Sequence, residues 1–152
     1  MDEIDNFLAE LDGRPTMLMG NSKLITKIKS VARRAGYATK SEDGFGRTVT
    51  GYDGIPLVDL EYFYDGTSTI PVVPIVNRTV GTQQTELTDL YAVSLGMDGF
   101  HGVSPTGNKV IRTFLPDFNS PGAVKTGEVE MVAAVALKAT RKAGVLRNIK
   151  VQ

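Results

Sequence analysis

Phe45-Gly-Arg-Thr-Val-Thr-Gly-Tyr-Asp-Gly-Ile-Pro-Leu57 is the stretch whose reading decides the fold. Its β-branched and aromatic residues favour extended chain, and the Asp53-Gly54 pair suits a tight turn that needs positive φ. Tyr91-Ala-Val-Ser-Leu-Gly-Met-Asp-Gly-Phe-His-Gly-Val103 repeats the formula around Asp98-Gly99. Strands interrupted in this way bend and pack, and neither stretch presents a nucleophile with a base beside it. The pattern points to an architectural protein.

Working outward, five Asp-Gly pairs punctuate the chain, at 12–13, 43–44, 53–54, 65–66 and 98–99. The region between and after them predicts strands at 47–52, 55–60, 70–76, 90–95 and 109–114. Pro71 and Pro74 cannot donate to a ladder, so 70–76 is expected at an edge or as irregular chain. Residues 117–126, rich in Pro, Gly, Ser and Asn, read as a connection between units. Residues 128–138 alternate weakly and predict a long sheet strand, although their alanines also permit a helix. A turn or short helix at 140–144 then leads to a basic final strand, 145–151.

The N-terminal part carries the helices. Ile4, Phe7, Leu8 and Leu11 fall on one face behind an acidic first turn, with Gly13 and Pro15 as the stop. Residues 16–19 read as a brief buried strand. Asn21 or Ser22 then caps a second helix with an apolar stripe of Leu24, Ile25, Ile28, Val31, Ala32 and Ala35, ended by Gly36.

Composition narrows the function. With 152 residues and 41% hydrophobic content the chain can bury one core, or one compact domain plus a fragment of another, and 17 basic residues cancel 17 acidic ones, so no global field recruits nucleic acid or an anionic membrane. The absence of cysteine removes disulfides, thiolate catalysis and cysteine-held zinc, and fits a reducing compartment. The acidic start is unlike a signal peptide, and the apolar run 131–137 is too short to span a bilayer, so a cytoplasmic product is expected. The glycosylation sequon at 77–79 reads as chance without such a signal.

The chemistry-bearing residues read the same way. His101 is the lone histidine, which excludes a multi-histidine metal site, and Ser104 is too near in sequence to argue a triad. A turn histidine between Gly99 and Gly102 is the plainer reading, with a small hydrolase using His101 as the alternative. Gly102-Val-Ser-Pro-Thr-Gly-Asn-Lys109 imitates a phosphate loop, but Asn108 displaces the lysine and a β-branched run follows, so a hairpin loop is expected. Gly44-Phe-Gly46 lacks the third glycine of a dinucleotide fingerprint. Lys23, Lys27, Lys29, Arg33 and Arg34 make the second helix basic outside, either a solvated face or a phosphate-facing surface. Lys138, Arg141, Lys142, Arg147 and Lys150 do the same at the C-terminus. Acidic pairs such as Asp2 with Asp5, or Glu128 with Glu130, fit caps and solvent faces. No catalytic, cofactor or metal residue is assigned.

The order of Pro15-Thr-Met-Leu-Met-Gly-Asn21, the basic helix, Phe45-Gly-Arg-Thr-Val49, Tyr52-Asp-Gly-Ile-Pro-Leu-Val58, Tyr91-Ala-Val-Ser-Leu-Gly96, Gly99-Phe-His-Gly-Val103 and Leu146-Arg-Asn-Ile-Lys150 resembles the C-terminal half of a tailed-bacteriophage major capsid protein of the Hong Kong 97-like fold. The resemblance spans nearly all of the chain. It implies an α+β fold in which 14–126 form an axial domain of mixed sheet and flanking helices, while 1–13 and 127–152 form part of a peripheral domain. It implies no enzyme activity and no cofactor. The implied partners are other copies of the chain, in pentamers and hexamers of an icosahedral shell, with packaged DNA touched weakly and without specificity. It places the protein in the virion, made in the host cytoplasm. A bacterial encapsulin shares the fold but houses enzymes, and is the close alternative. The family's N-terminal arm, extended loop and most of its spine helix have no counterpart here. A truncated or processed form is therefore expected, monomeric at micromolar concentration and forming rings only when concentrated.

Overall fold

The computed structural model describes residues 2–36, 38–42, 48–105, 107, 109–119 and 121–151. Tyr37, the 43–44 turn, Gly44-Phe-Gly46, the strand start at Arg47 and the displaced Asn108 lie outside the described residues. In chain order the elements are α1 (Asp2–Ala9), β1 (Met17–Gly20), α2 (Ser22–Ala35), β2 (Ala38–Glu42), β3 (Thr48–Tyr52), β4 (Ile55–Asp59), β5 (Tyr62–Tyr64), β6 (Thr69–Pro71), β7 (Val76–Val80), β8 (Thr82–Val93), β9 (Phe100–Val103), β10 (Ile111–Phe114), β11 (Glu128–Met131), β12 (Ala134–Leu137), a 3₁₀ turn (Thr140–Lys142) and β13 (Ala143–Lys150).

The chain divides by packing into two units, Met1–Phe100 with Leu137–Gln152, and His101–Ala136. The first is built on a seven-stranded mixed sheet in the order β13-β8-β1-β4-β3-β2, with β7 also pairing β8. β1 runs parallel to β4 and antiparallel to β8. The Asp53-Gly54 turn joins β3 to β4 with φ of 48° and 72°, the doubly positive geometry that its sequence anticipates. Gly99 serves differently: a Cβ there would sit 2.3 Å from the Ser94 carbonyl oxygen, so close backbone approach, not φ, requires the glycine.

One core fills this unit. Leu24, Ile25, Ile28 and Ala32 of α2 meet Leu18, Tyr52, Ile55, Leu57, Leu90 and Ala92 of the sheet, with Phe7 of α1 joining them. Val31 is half-buried, and Ala35 is exposed because the stripe runs out in the last turn. α1 is tied down twice. The Tyr52 hydroxyl donates to Asp5 Oδ1 at 2.6 Å. Phe7 and Leu11 lie where a Cβ on Gly144 would come within 2.9 Å and 2.8 Å, so the missing side chain admits the helix.

The second unit has two short ladders, β10 with β11 and β9 with β12. Here the sequence expectations need correction. The 128–138 segment is not one long strand of the main sheet. It breaks at 132–133 into β11 and β12, each in a two-stranded ladder, and no helix forms. The hairpin expected around 102–109 is not formed by the strands that flank it, since β9 pairs β12 while β10 pairs β11. Residues 117–126 lie within this unit. The final strand β13 lies beside β8 in the main sheet, so packing divides the chain elsewhere than at 126–127. The 70–76 segment is interrupted between β6 and β7, as its prolines anticipate, whereas β7, β5, β9, β2 and the first eight residues of β8 were not expected as strands.

Candidate functional site

The basic helix is fixed at both ends. Asn21 Oδ1 accepts the Lys23 N–H at 3.0 Å while its amide donates to the Val73 carbonyl at 2.7 Å. Gly36 closes the other end in the left-handed region at φ 78°, donating to the Ala32 carbonyl. At 3.6 residues per turn, Lys23, Lys27 and Arg34 stand on one flank of α2 and Lys29 and Arg33 on the other. The structure keeps these sets apart. Lys23, Lys27 and Arg34 line an open groove of about 440 Å³ with Ser22, Thr26, Ser30 and Val151. Lys29 and Arg33 are not part of that groove, and the Arg33 guanidinium donates to the Lys29 carbonyl at 3.3 Å. Three of the five cations grouped by sequence thus share one surface.

Two of the C-terminal basic residues, Arg141 and Lys142, are used within the fold, while Lys138, Arg147 and Lys150 are exposed. Arg141 donates to the Glu10 carbonyl at 2.8 Å, and the Lys142 ammonium lies 3.5 Å from Asp98 and 4.0 Å from Asp12. The Asp98 carboxyl, held by its own backbone N–H and by Lys142, sits below the usual carboxylate range. Lys27 reaches the Lys150 carbonyl at 3.1 Å, beside a cavity of about 180 Å³ with apolar walls from Ile4, Ile28, Leu146 and Ile149.

Sequence reasoning missed the most highly organised polar cluster. Arg78 donates from two nitrogens to Asp89, at 2.6 and 2.8 Å, and also to Asn148 Oδ1 at 3.0 Å. The Asn148 N–H closes the triangle on Asp89 at 3.1 Å. The guanidinium fork, before any other influence, holds the Asp89 carboxyl below its ordinary value. The cluster binds β7, β8 and β13 together where both ladders slip register, and Asn148 takes φ 62° in the bulge. A charged Asp89 inside the apolar run 87–93 is the signal that would have exposed it.

His101 is half-buried on β9 and lines none of the cavities described above. Among the described residues no group of three or more His, Asp or Glu could hold a metal ion, and no helix is long and apolar enough to cross a membrane.

Exposed apolar surface is the more telling feature. In the β10–β11 ladder, directly opposed residues share a face, so Ile111 with Met131 and Thr113 with Val129 form one side. Ile111, Val129 and Met131 are 56%, 68% and 65% exposed. The other side carries Arg112 opposite Glu130, 4.0 Å apart. The β5–β6 hairpin likewise exposes Tyr62, Phe63 and Tyr64.

Mixed sheet and capped helix define an α+β fold. No family model and no curated protein matches the chain. Among solved structures it is similar to the holo-SrpI encapsulin complex from Synechococcus elongatus, with a TM-score of 0.63 and 17% identity, over 99% of this chain and 49% of that one. The chain spans about half the length of that encapsulin chain. At this identity the likeness is one of fold, and it agrees with the Hong Kong 97-like fold that the sequence resembles.

Proposed function

We propose that the chain is a structural subunit of an icosahedral protein shell, a major capsid protein of a tailed bacteriophage residing in the virion. The observation that carries the shell reading is the fold match over 99% of the chain. The order of short motifs between Pro15 and Lys150 supports the phage assignment. In this reading residues 14–126 face the five-fold and six-fold axes, and neighbouring copies cover the apolar ladder faces, since an isolated two-stranded ladder is marginal in water. Packaged DNA is met through weak, sequence-blind contacts. Fluorescence anisotropy should give dissociation constants no tighter than about 10⁻⁴–10⁻⁶ M and strongly salt-dependent.

An encapsulin-type compartment is the second reading, favoured by the identity of the structural neighbour. Cryo-electron microscopy of the complete gene product tests both. Closed icosahedral particles are expected; particles filled with genome-length DNA support the phage reading, and particles filled with protein support the compartment. Failure of the complete product to form any closed particle would sink the shell reading. The protein is proposed to be non-catalytic, and a hydrolytic activity abolished by His101→Ala would contradict that.

A further inference from the structure

We propose that the β5–β6 hairpin is a docking tongue for the groove on the outer flank of α2 in a second copy of this chain. The inference rests on the shell reading and names one of its contacts. From Asp59 to Asn77 the sequence holds Asp59, Glu61 and Asp65 and no lysine or arginine. Helix α2 holds Lys23, Lys27, Lys29, Arg33 and Arg34 and no acid. Within a chain of zero net charge these two segments carry charge of one sign each, so the acidic hairpin and the basic helix are complementary.

The tongue is preorganised. Asp65 accepts the Thr67 and Ser68 N–H groups at 2.8 and 2.7 Å, and the Tyr64 hydroxyl donates to the Gly66 carbonyl at 2.8 Å. At its base Asp59 Oδ1 takes both the Ser22 hydroxyl, at 2.8 Å, and the Glu61 N–H, at 2.9 Å. Fixing the tip in advance reduces the entropy lost on docking. Phe63 and Ile70 share one face, and Tyr62, Tyr64 and Pro71 the other. Tyr62, Phe63 and Tyr64 are 56%, 49% and 68% exposed, so both faces present ring surface. The groove supplies the cationic heads of Lys23, Lys27 and Arg34, which can lie over the hairpin's ring faces and beside its carboxylates.

Tongue and groove adjoin on each copy, because Ser22 and Asn21 at the start of α2 bond to Asp59 and to the Val73 carbonyl. Three half-exposed rings supply on the order of 300 Å², well short of the roughly 800 Å² per partner of a standard interface. Around a five-fold or six-fold axis the contact runs head to tail, so each copy makes it twice, once with its tongue and once with its groove. Association is therefore expected to be weak, salt-sensitive and visible only when the chain is concentrated.

The test is sedimentation equilibrium of the full chain in the millimolar range, with thermal melts to confirm folding. Glu61→Lys with Asp65→Lys, and separately Lys27→Glu with Arg34→Glu, should each weaken association by about tenfold or more, in keeping with the cost of opposing like charges. The four substitutions together should restore it, and Phe63→Ala with Tyr64→Ala should weaken it without new charge. A parent chain that stays monomeric, or a combined variant that fails to regain association, overturns the proposal. So does loss of duplex-DNA binding in Lys27→Glu with Arg34→Glu while association is untouched, which makes the groove a phosphate surface. Association that survives every reversal removes this contact and leaves the shell reading standing, since that reading is decided by micrographs of the complete product.

Discussion

The two packing units solve the burial problem in opposite ways. In the larger one, α2 lays Leu24, Ile25 and Ile28 on the sheet, and each is at most 5% exposed. In 101–136 the apolar residues Phe118, Val124, Val129 and Val135 are all more than two-thirds exposed. The first unit carries its own core; the second spends its apolar residues on faces that nothing in its two short ladders covers. Exposed apolar surface of this extent marks interaction sites on proteins, which fits the contacts between copies proposed above.

Large-to-small truncation should break the comparison open most widely. Ile28→Ala is expected to cost about 2–5 kcal/mol in denaturant melts, whereas Val129→Ala, already open to water, should stay within about 0.5 kcal/mol. Equal losses at both sites would show that the second unit has a core of its own. Next comes Gly144→Ala, where the new methyl meets Phe7 and Leu11. Overpacking there should cost about 1–3 kcal/mol, and a neutral result would mean that α1 moves freely off β13.

Acid titration sharpens the same contrast, since the Arg78–Asp89–Asn148 cluster belongs wholly to the first unit. The Asp89 carboxyl is lowered in the fold, chiefly by Arg78. Its stabilisation is therefore fully present above the unfolded value of about 3.9 and is lost as pH falls through the lower folded value. Asp89→Asn should be less stable than the parent at neutral pH and converge on it in strong acid. Parallel stability curves down to strong acid would remove the cluster from the account. The smallest expected effect is at Lys27, exposed on α2, where alanine should change stability by no more than about 0.5 kcal/mol. A loss matching that of Ile28→Ala would overturn the assignment of helix faces.

Several elements were legible because their causes are local. The α2 caps follow from Asn21 and Gly36, its buried face from Leu24, Ile25 and Ile28, and the β3–β4 turn from Asp53-Gly54. The candidate site was half legible: the cations of α2 were visible, but their division between two flanks required the groove. The β7–β8 hairpin was missed because 82–86 is polar and reads as loop, and its pairing is held by Arg78 and Asp89, eleven residues apart.

The sequence by itself determined the helices, the turn positions, the balance of charge and the resemblance that names the fold class, since capping, periodicity and turn chemistry act within a few residues. Only the tertiary structure decided that β13 returns beside β8, that 128–137 breaks into two ladders, and that Asp89 finds Arg78 and Asn148. Strand partners and buried ion pairs are chosen by long-range packing, where many β-branched segments compete for the same edges and no local signal ranks them.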